Sequence, residues 1–206
     1  MSIARIRGKQ RFEREGLILP DGYSAEEFAD HYGIKGYAEL LLTTEDGDQK
    51  LRRIVKNLIT QVGDQFYLER ALAIGTEGTT RPPQVTGMKL GINSTGPTKT
   101  GAAAALGSYL AGSQRAIDSG FPTSSLTADA TPKRRGQFKS SWAAAVATHP
   151  NITEAVLVND ALADATSAAA STIARILTNP GAPATGIAKG ANDTLEVVWN
   201  HELLGA

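Results

Sequence analysis

The stretch from Asn151 to Leu204 constrains this chain most. It holds three short runs rich in Val, Ile, Leu and Thr: Asn151–Asp160, Ser171–Thr178 and Gly186–Leu203. Asn, Asp, Gly and Pro bound them. β-Branched and aliphatic residues cut by turn formers are the sequence form of antiparallel strands. In the last run Leu195, Val197 and Trp199 alternate with Glu196, Val198 and Asn200, so a period of two sets the first three on one face of a sheet.

The rest of the chain adds hairpin and helix signals. Tyr37–Thr44 and Leu51–Leu58 flank Glu45-Asp46-Gly47-Asp48, and an Asp-Gly turn between β-type runs predicts a hairpin. Ser24 with Glu27 three residues on forms a capping box for a short helix over Ala25–Tyr32, closed by Gly33. A second helix is predicted over Thr60–Ala73, capped by Asp64, with Val62, Phe66 and Ala73 inward and Gly75 ending it. Gln84–Ile92 reads as a strand and Asn93–Gly101 as a loop. Leu106, Tyr109, Leu110 and Ile117 suggest a third helix over Ala102–Ile117, weakened by Gly107 and Gly112. Ser119–Arg135 reads as a long exposed loop.

Composition excludes several function classes. There is no cysteine, so disulfides, thiol catalysis and cysteine metal sites are ruled out. Lys plus Arg equals Asp plus Glu at 21 each, which gives no overall electrostatic case for nucleic acid. No run approaches the ~18 apolar residues of a membrane span, and Met1-Ser-Ile-Ala-Arg-Ile-Arg lacks the apolar core of a signal peptide. A soluble product made in the cytoplasm is therefore expected. Aromatics are only 6% while Ala and Gly abound, so a core of small side chains buries less area per residue. Contacts between copies are expected to supply part of the stability.

No catalytic constellation stands out. His31, His149 and His201 share no metal-ligand spacing with one another or with carboxylates. Each reads as a surface or hydrogen-bonding histidine. No Gly-x-Ser-x-Gly elbow is present, and Gly87-Met-Lys-Leu-Gly91 and Gly96-Pro-Thr-Lys-Thr-Gly101 both fail the phosphate-loop pattern and read as turns with exposed lysines. No catalytic residue, cofactor or metal is expected. Trp142, Trp199, Tyr109 and Phe138 sit among apolar residues, with buried core as the default for each.

Two features invite closer attention. Arg5, Arg7, Lys9, Arg11 and Arg14 make a locally basic N-terminal arm against Glu13 and Glu15. Such an arm is a solvated tail, a contact for an acidic partner or nucleic acid, or, as favoured here, a docking arm ordered against a neighbouring subunit. Glu154 and Arg175 each interrupt an apolar row: Glu154 among Ile152, Val156 and Val158, Arg175 between Ile173 and Leu177. An unpaired ion there is costly, so the two are expected to pair across an antiparallel hairpin, opposite each other within one residue of register and bidentately.

The C-terminal patterns Ile-Thr-Glu-Ala-x-Leu-x-Asn, Thr-Ile-Ala-Arg and Lys-Gly-x-x-Asp-Thr-Leu-x-Val-x-Trp carry a likeness, as do Val55–Gly63 and Met88–Gly96 upstream. Together they resemble a group of small structural proteins of tailed bacteriophages, described as tail-fibre, neck or appendage proteins. The likeness spans about residues 37 to 204. It favours a strand over Gln137–Thr148, which propensity alone leaves open between helix and strand. What it implies is a virion component; the reading taken here is a non-enzymatic one at the neck or tail (collar, adaptor or fibre attachment), whose partners are copies of itself and portal, neck, tail or major capsid proteins. A capsid decoration protein is the alternative, as is a receptor- or glycan-binding module; an enzyme ranks last. The expected fold is mainly β with helices (α+β): an antiparallel β-sandwich over 37–206 with two or three peripheral helices, preceded by an N-terminal arm and short helix over 1–36.

Overall fold

The computed structural model describes residues 33–76 and 79–204. The expected helix at 25–32 and the basic arm lie outside the described residues. The described chain is mostly β, with antiparallel sheets and one α-helix.

The strands are β1 (Gly33–Thr43), β2 (Gln49–Lys56), β3 (Leu58–Ile59), β4 (Gly87–Gly91), β5 (Arg115–Ala116), β6 (Thr123–Leu126), β7 (Arg134–Trp142), β8 (His149–Ile152), β9 (Glu154–Val158), β10 (Thr172–Leu177), β11 (Ile187–Lys189) and β12 (Thr194–Leu204). Helix α1 (Gln61–Ala71) falls between β3 and β4. One five-stranded sheet has the order β2-β1-β12-β7-β6, a second β3-β10-β9-β4-β5, and β11 pairs with β8 alone.

The described residues divide into two compact units. The larger covers Gly36–Thr123 and Gly136–Asn200. In it, β1 and β2 pair across the Asp-Gly turn, with Tyr37 opposite Lys56 and Leu42 opposite Leu51. Its main core draws Leu40, Val55, Trp142, Val197 and Trp199 from the first sheet and Met88, Leu90, Leu157 and Ile176 from the second. Leu195, Val197 and Trp199 are fully buried, whereas Glu196 and Val198 are half-buried, so the alternation of β12 orients it as its sequence requires. The smaller unit includes Ser124–Arg135 and 201–204. In it Thr127 and Lys133 close a turn through the Thr127 amide and the Lys133 carbonyl, 2.9 Å apart, and Arg135 pairs with Glu202 at 2.7 Å.

Several local expectations are corrected. The segment 102–117 is not a helix. It is a single 3-10 turn at Ala102–Ala104, then irregular chain that bridges to Gly91 at Tyr109, turns at 111–112 and ends in β5. Its apolar residues face inward by lying on the second sheet: Leu106 packs with Val156 and Val158, flanked by Tyr109 and Leu162. Tyr109 is thus half-buried rather than core. Only one of the two or three expected helices is therefore found among the described residues. Its cap is Thr60, not Asp64: the Thr60 hydroxyl accepts from the Gly63 amide at 3.0 Å. Ala73 is exposed and left-handed (φ 53°), so the helix stops before Gly75. Gly63 rather than Ala73 joins Phe66 on the buried side, because the Ile173 carbonyl approaches where a Cβ would stand. The 119–135 loop contains β6, which pairs with β7. The strand expected over 137–148 starts at Arg134 and ends at Trp142, and Ala145 and Ala147 turn the chain with positive φ.

Candidate functional site

Strands β9 and β10 are buried on every residue. One face meets the main core through Ala155, Leu157, Ala174 and Ile176. The segment 93–110 covers the other, and here the chain places its charges. Glu154 and Arg175 are both wholly inaccessible. Arg175 Nε and Nη2 donate to Glu154 Oε2 at 3.0 and 2.6 Å.

The geometry differs from the sequence expectation in two ways. The hairpin sets Arg175 opposite Val156 and Glu154 opposite Leu177, so the partners are diagonal, two residues apart in register. Long side chains still reach across such a diagonal. The contact is also not a two-oxygen fork, since both arginine nitrogens converge on Oε2. The remaining capacity of the pair goes to the backbone. Glu154 Oε1 accepts from the Asn93 and Ser108 amides at 3.1 and 3.0 Å, and Oε2 accepts from the Gly107 amide at 3.1 Å. Arg175 donates from Nη1 to the Ala103 carbonyl at 2.6 Å and from Nη2 to the Thr95 carbonyl at 2.8 Å. A buried ion pair offsets its desolvation only when its other donors and acceptors are also met. Here they tie the 93–108 segment to the sheet.

The apolar rows around the two charges also shift. Val156 and Val158 share the outer face with Glu154, but Ile152 belongs to the main core. The strand breaks at Thr153, whose amide donates to the Gly91 carbonyl at 3.0 Å and whose hydroxyl donates to the Asn93 carbonyl at 2.8 Å. On β10 an irregularity between Thr172 and Ala174 turns Ile173 into the core.

A second buried cation corrects the sequence reading of Lys89 as an exposed turn lysine. Lys89 on β4 is 1% exposed; its Nζ donates to Asp160 Oδ2 and the Ala165 carbonyl, each at 2.9 Å, and lies 5.8 Å from the Tyr109 ring centroid. The signal was present: Lys89 stands between Met88 and Leu90 in a five-residue strand, so it must enter the face opposite theirs. Burial pushes the Asp160 carboxyl up, but hydrogen bonds from Ser167, Lys89 and the Leu162 amide outweigh it and hold it below the usual range. A third cation, Lys189 on β11, donates to the Ala143 carbonyl at 3.0 Å and fixes the turn after β7. Burial lowers its pKa, partly offset by Asp193. Asp193 itself is held low by Lys50 at 2.6 Å and the Gly190 amide.

The histidines do not converge. His149 Nδ1 accepts from the Asn151 amide at 3.0 Å. His201 is buried on β12, and burial pulls its pKa down to about 3. Among the described residues no group of three His, Asp or Glu is placed to hold a metal. A pocket of about 220 Å³ beside α1 is lined by Val62, Gln65, Arg81, Asn159 and Ser171 among others. Its arginine is spent on the Ala73, Ile74 and Gly75 carbonyls. No helix among the described residues is long and apolar enough to cross a membrane. Arg5, Arg7, Lys9, Arg11 and Arg14 lie outside the described residues. No protein family, curated protein or solved structure matches the chain.

Proposed function

We propose that this chain is a non-enzymatic structural protein of a tailed-phage virion, associated with the neck or tail as a collar, adaptor or fibre-attachment component. One observation carries the reading: the motif residues that resemble the phage proteins are interior scaffold. Glu154, Arg175, Lys189, Leu195, Val197 and Trp199 are all buried, and the charged ones among them bond to the chain's own backbone or to each other. Buried charges already saturated by the fold hold strands and loops in place and leave little to act on a substrate. In this reading the two five-stranded sheets form an antiparallel β-sandwich closed around the shared apolar cluster. The basic arm, Arg5 to Arg14, docks on a neighbouring subunit or virion protein.

Mass spectrometry and a cryo-EM map of purified particles test it. The chain is expected in the particle in the low copy number of a neck or tail ring; hundreds of copies would make it a capsid decoration protein instead. Absence from the particle refutes the proposal. Deleting residues 1–16 is expected to leave the thermal midpoint within a few degrees and to lower incorporation. Unfolding on deletion would show that the arm belongs to the core.

A further inference from the structure

We propose that the tip of the β1–β2 hairpin is a self-modification site: Asp46 converts to isoaspartate through the Gly47 amide, at a rate gated by opening of the turn. The inference goes beyond a place in the virion and does not rest on it.

Three features single out this peptide bond. The first is exposure, since Glu45 to Lys50 all face solvent. The second is a free carboxylate. Asp46 makes no hydrogen bond or ion pair with any described residue. Six other aspartates are held: Asp64 by Lys99, Asp118 by Ser141, Asp129 by Lys133, Asp160 by Lys89, Asp164 by the Gly112 amide and Asp193 by Lys50. Asp48 is unheld too, but it precedes Gln49, the first residue of β2. The third feature is the glycine. Among the described residues no other Asp or Asn precedes Gly. Gly47 is left-handed (φ 86°), and a Cβ there would meet nothing within 4 Å. Its nitrogen therefore stands in open space with no side chain beside it, and the Asp46 carboxyl carbon can approach. At Asp48 the side chain of Gln49 stands beside the equivalent nitrogen.

The chemistry needs no cofactor or oxidant. The Gly47 nitrogen attacks Cγ of Asp46 in its protonated carboxyl form. A C–N bond forms, and the amide proton leaves with the carboxyl hydroxyl as water, closing a five-membered succinimide. Water then adds to one ring carbonyl. Opening at Cγ restores aspartate. Opening at the α-carbonyl breaks the original peptide bond and leaves the chain running through Cβ and Cγ. Mass is unchanged, and the main chain gains one carbon.

The turn sets the rate. The Gly47 amide donates to the Thr44 carbonyl at 3.1 Å, the Thr44 amide to the Asp48 carbonyl at 2.9 Å, and the Asp48 amide to the Thr44 hydroxyl at 3.0 Å. Attack thus proceeds from the opened turn, and an exposed hairpin tip opens without global unfolding. The added carbon also has a structural consequence. Asn192 Nδ2 donates to Glu45 Oε2 at 3.1 Å and Lys50 Nζ to Asp193 Oδ1 at 2.6 Å, so the tip is tied to the turn before β12. A lengthened tip loosens these ties, and one edge of the first sheet weakens with age.

The full chain can be aged at mildly acidic pH and physiological temperature, digested with trypsin and fragmented by electron transfer, which distinguishes isoaspartate from aspartate. Residues 36–50 form one tryptic peptide, apart from the second Asp-Gly pair at Asp21 and Gly22. Isoaspartate is expected at Asp46 several-fold faster than at Asp48 of the same peptide. Asp46→Glu should abolish it. Thr44→Val removes the hydroxyl that accepts from Asp48 and should speed conversion several-fold. The converted fraction should exchange its Thr44 amide faster than the fresh protein. Failure to convert while a synthetic peptide of residues 36–50 converts under the same conditions overturns the proposal. So does equal conversion at Asp48, or a Thr44→Val variant that converts no faster.

Discussion

Replacing Glu154 with Ala should be among the most damaging single changes in the protein. The side chain is fully buried and accepts from Arg175 Nε and Nη2 and from the amides of Asn93, Gly107 and Ser108. Its removal leaves a guanidinium in the interior with only the Thr95 and Ala103 carbonyls. Stranding one member of a buried ion pair costs about 3–5 kcal/mol, and each buried amide left without an acceptor adds to that. At roughly 2–4 °C per kcal/mol for a chain of this size, the thermal midpoint should fall by about 6–20 °C. Arg175→Ala should cost less, because the carboxylate keeps its three amides. The double variant should lose less than the sum of the singles, by about 1–3 kcal/mol of coupling. It should not return to wild-type stability, since the three amides and two carbonyls of the 93–108 segment remain unmet. Calorimetric or denaturant melts of the four proteins give the cycle. Singles each below about 1 kcal/mol that simply add would refute the reasoning, because groups in water behave that way.

Two further changes test the interior. Gly91→Ala should destabilise by about 1–3 kcal/mol through overpacking, since a Cβ there would stand 2.5 Å from both Glu154 Oε1 and the Ser108 carbonyl; Gly96→Ala, where a Cβ meets nothing within 4 Å, is the control, and equal melting of the two would refute the packing argument. His201 is held neutral by burial, which pulls its pKa down to about 3 from the ordinary histidine value of 6.5. Below pH 6.5 the unfolded chain therefore binds a proton that the fold refuses, and stability falls with pH until about pH 3, by about 1.4 kcal/mol per unit. His201→Gln should flatten urea stability between pH 6.5 and 4.5; an unchanged slope would place the acid sensitivity elsewhere.

The sequence by itself determined the parts that rest on neighbours along the chain. The Asp-Gly turn made the β1–β2 hairpin, and alternation in β12 chose the buried face. Two charges in apolar rows announced that Glu154 and Arg175 needed partners. These are local facts, since strand alternation and turn geometry depend on a few adjacent residues. Tertiary structure decided the rest. Leu106, Tyr109 and Leu110 have helical spacing, yet the chain there is irregular, because the outer face of β9 and β10 offered an apolar and charged surface to cover. The same covering segment supplied the amides and carbonyls that complete the ion pair, which no pairwise reading of two strands contains. The strand break at Thr153 and the irregularity before Ala174 set the register and moved Ile152 and Ile173 to the core. Lys89 was visible as a charge in a short strand, but Asp160 became its partner only through the fold, across 71 positions of sequence. Long-range pairing follows from which surfaces must be buried together, a condition on the whole folded chain that no window of sequence states.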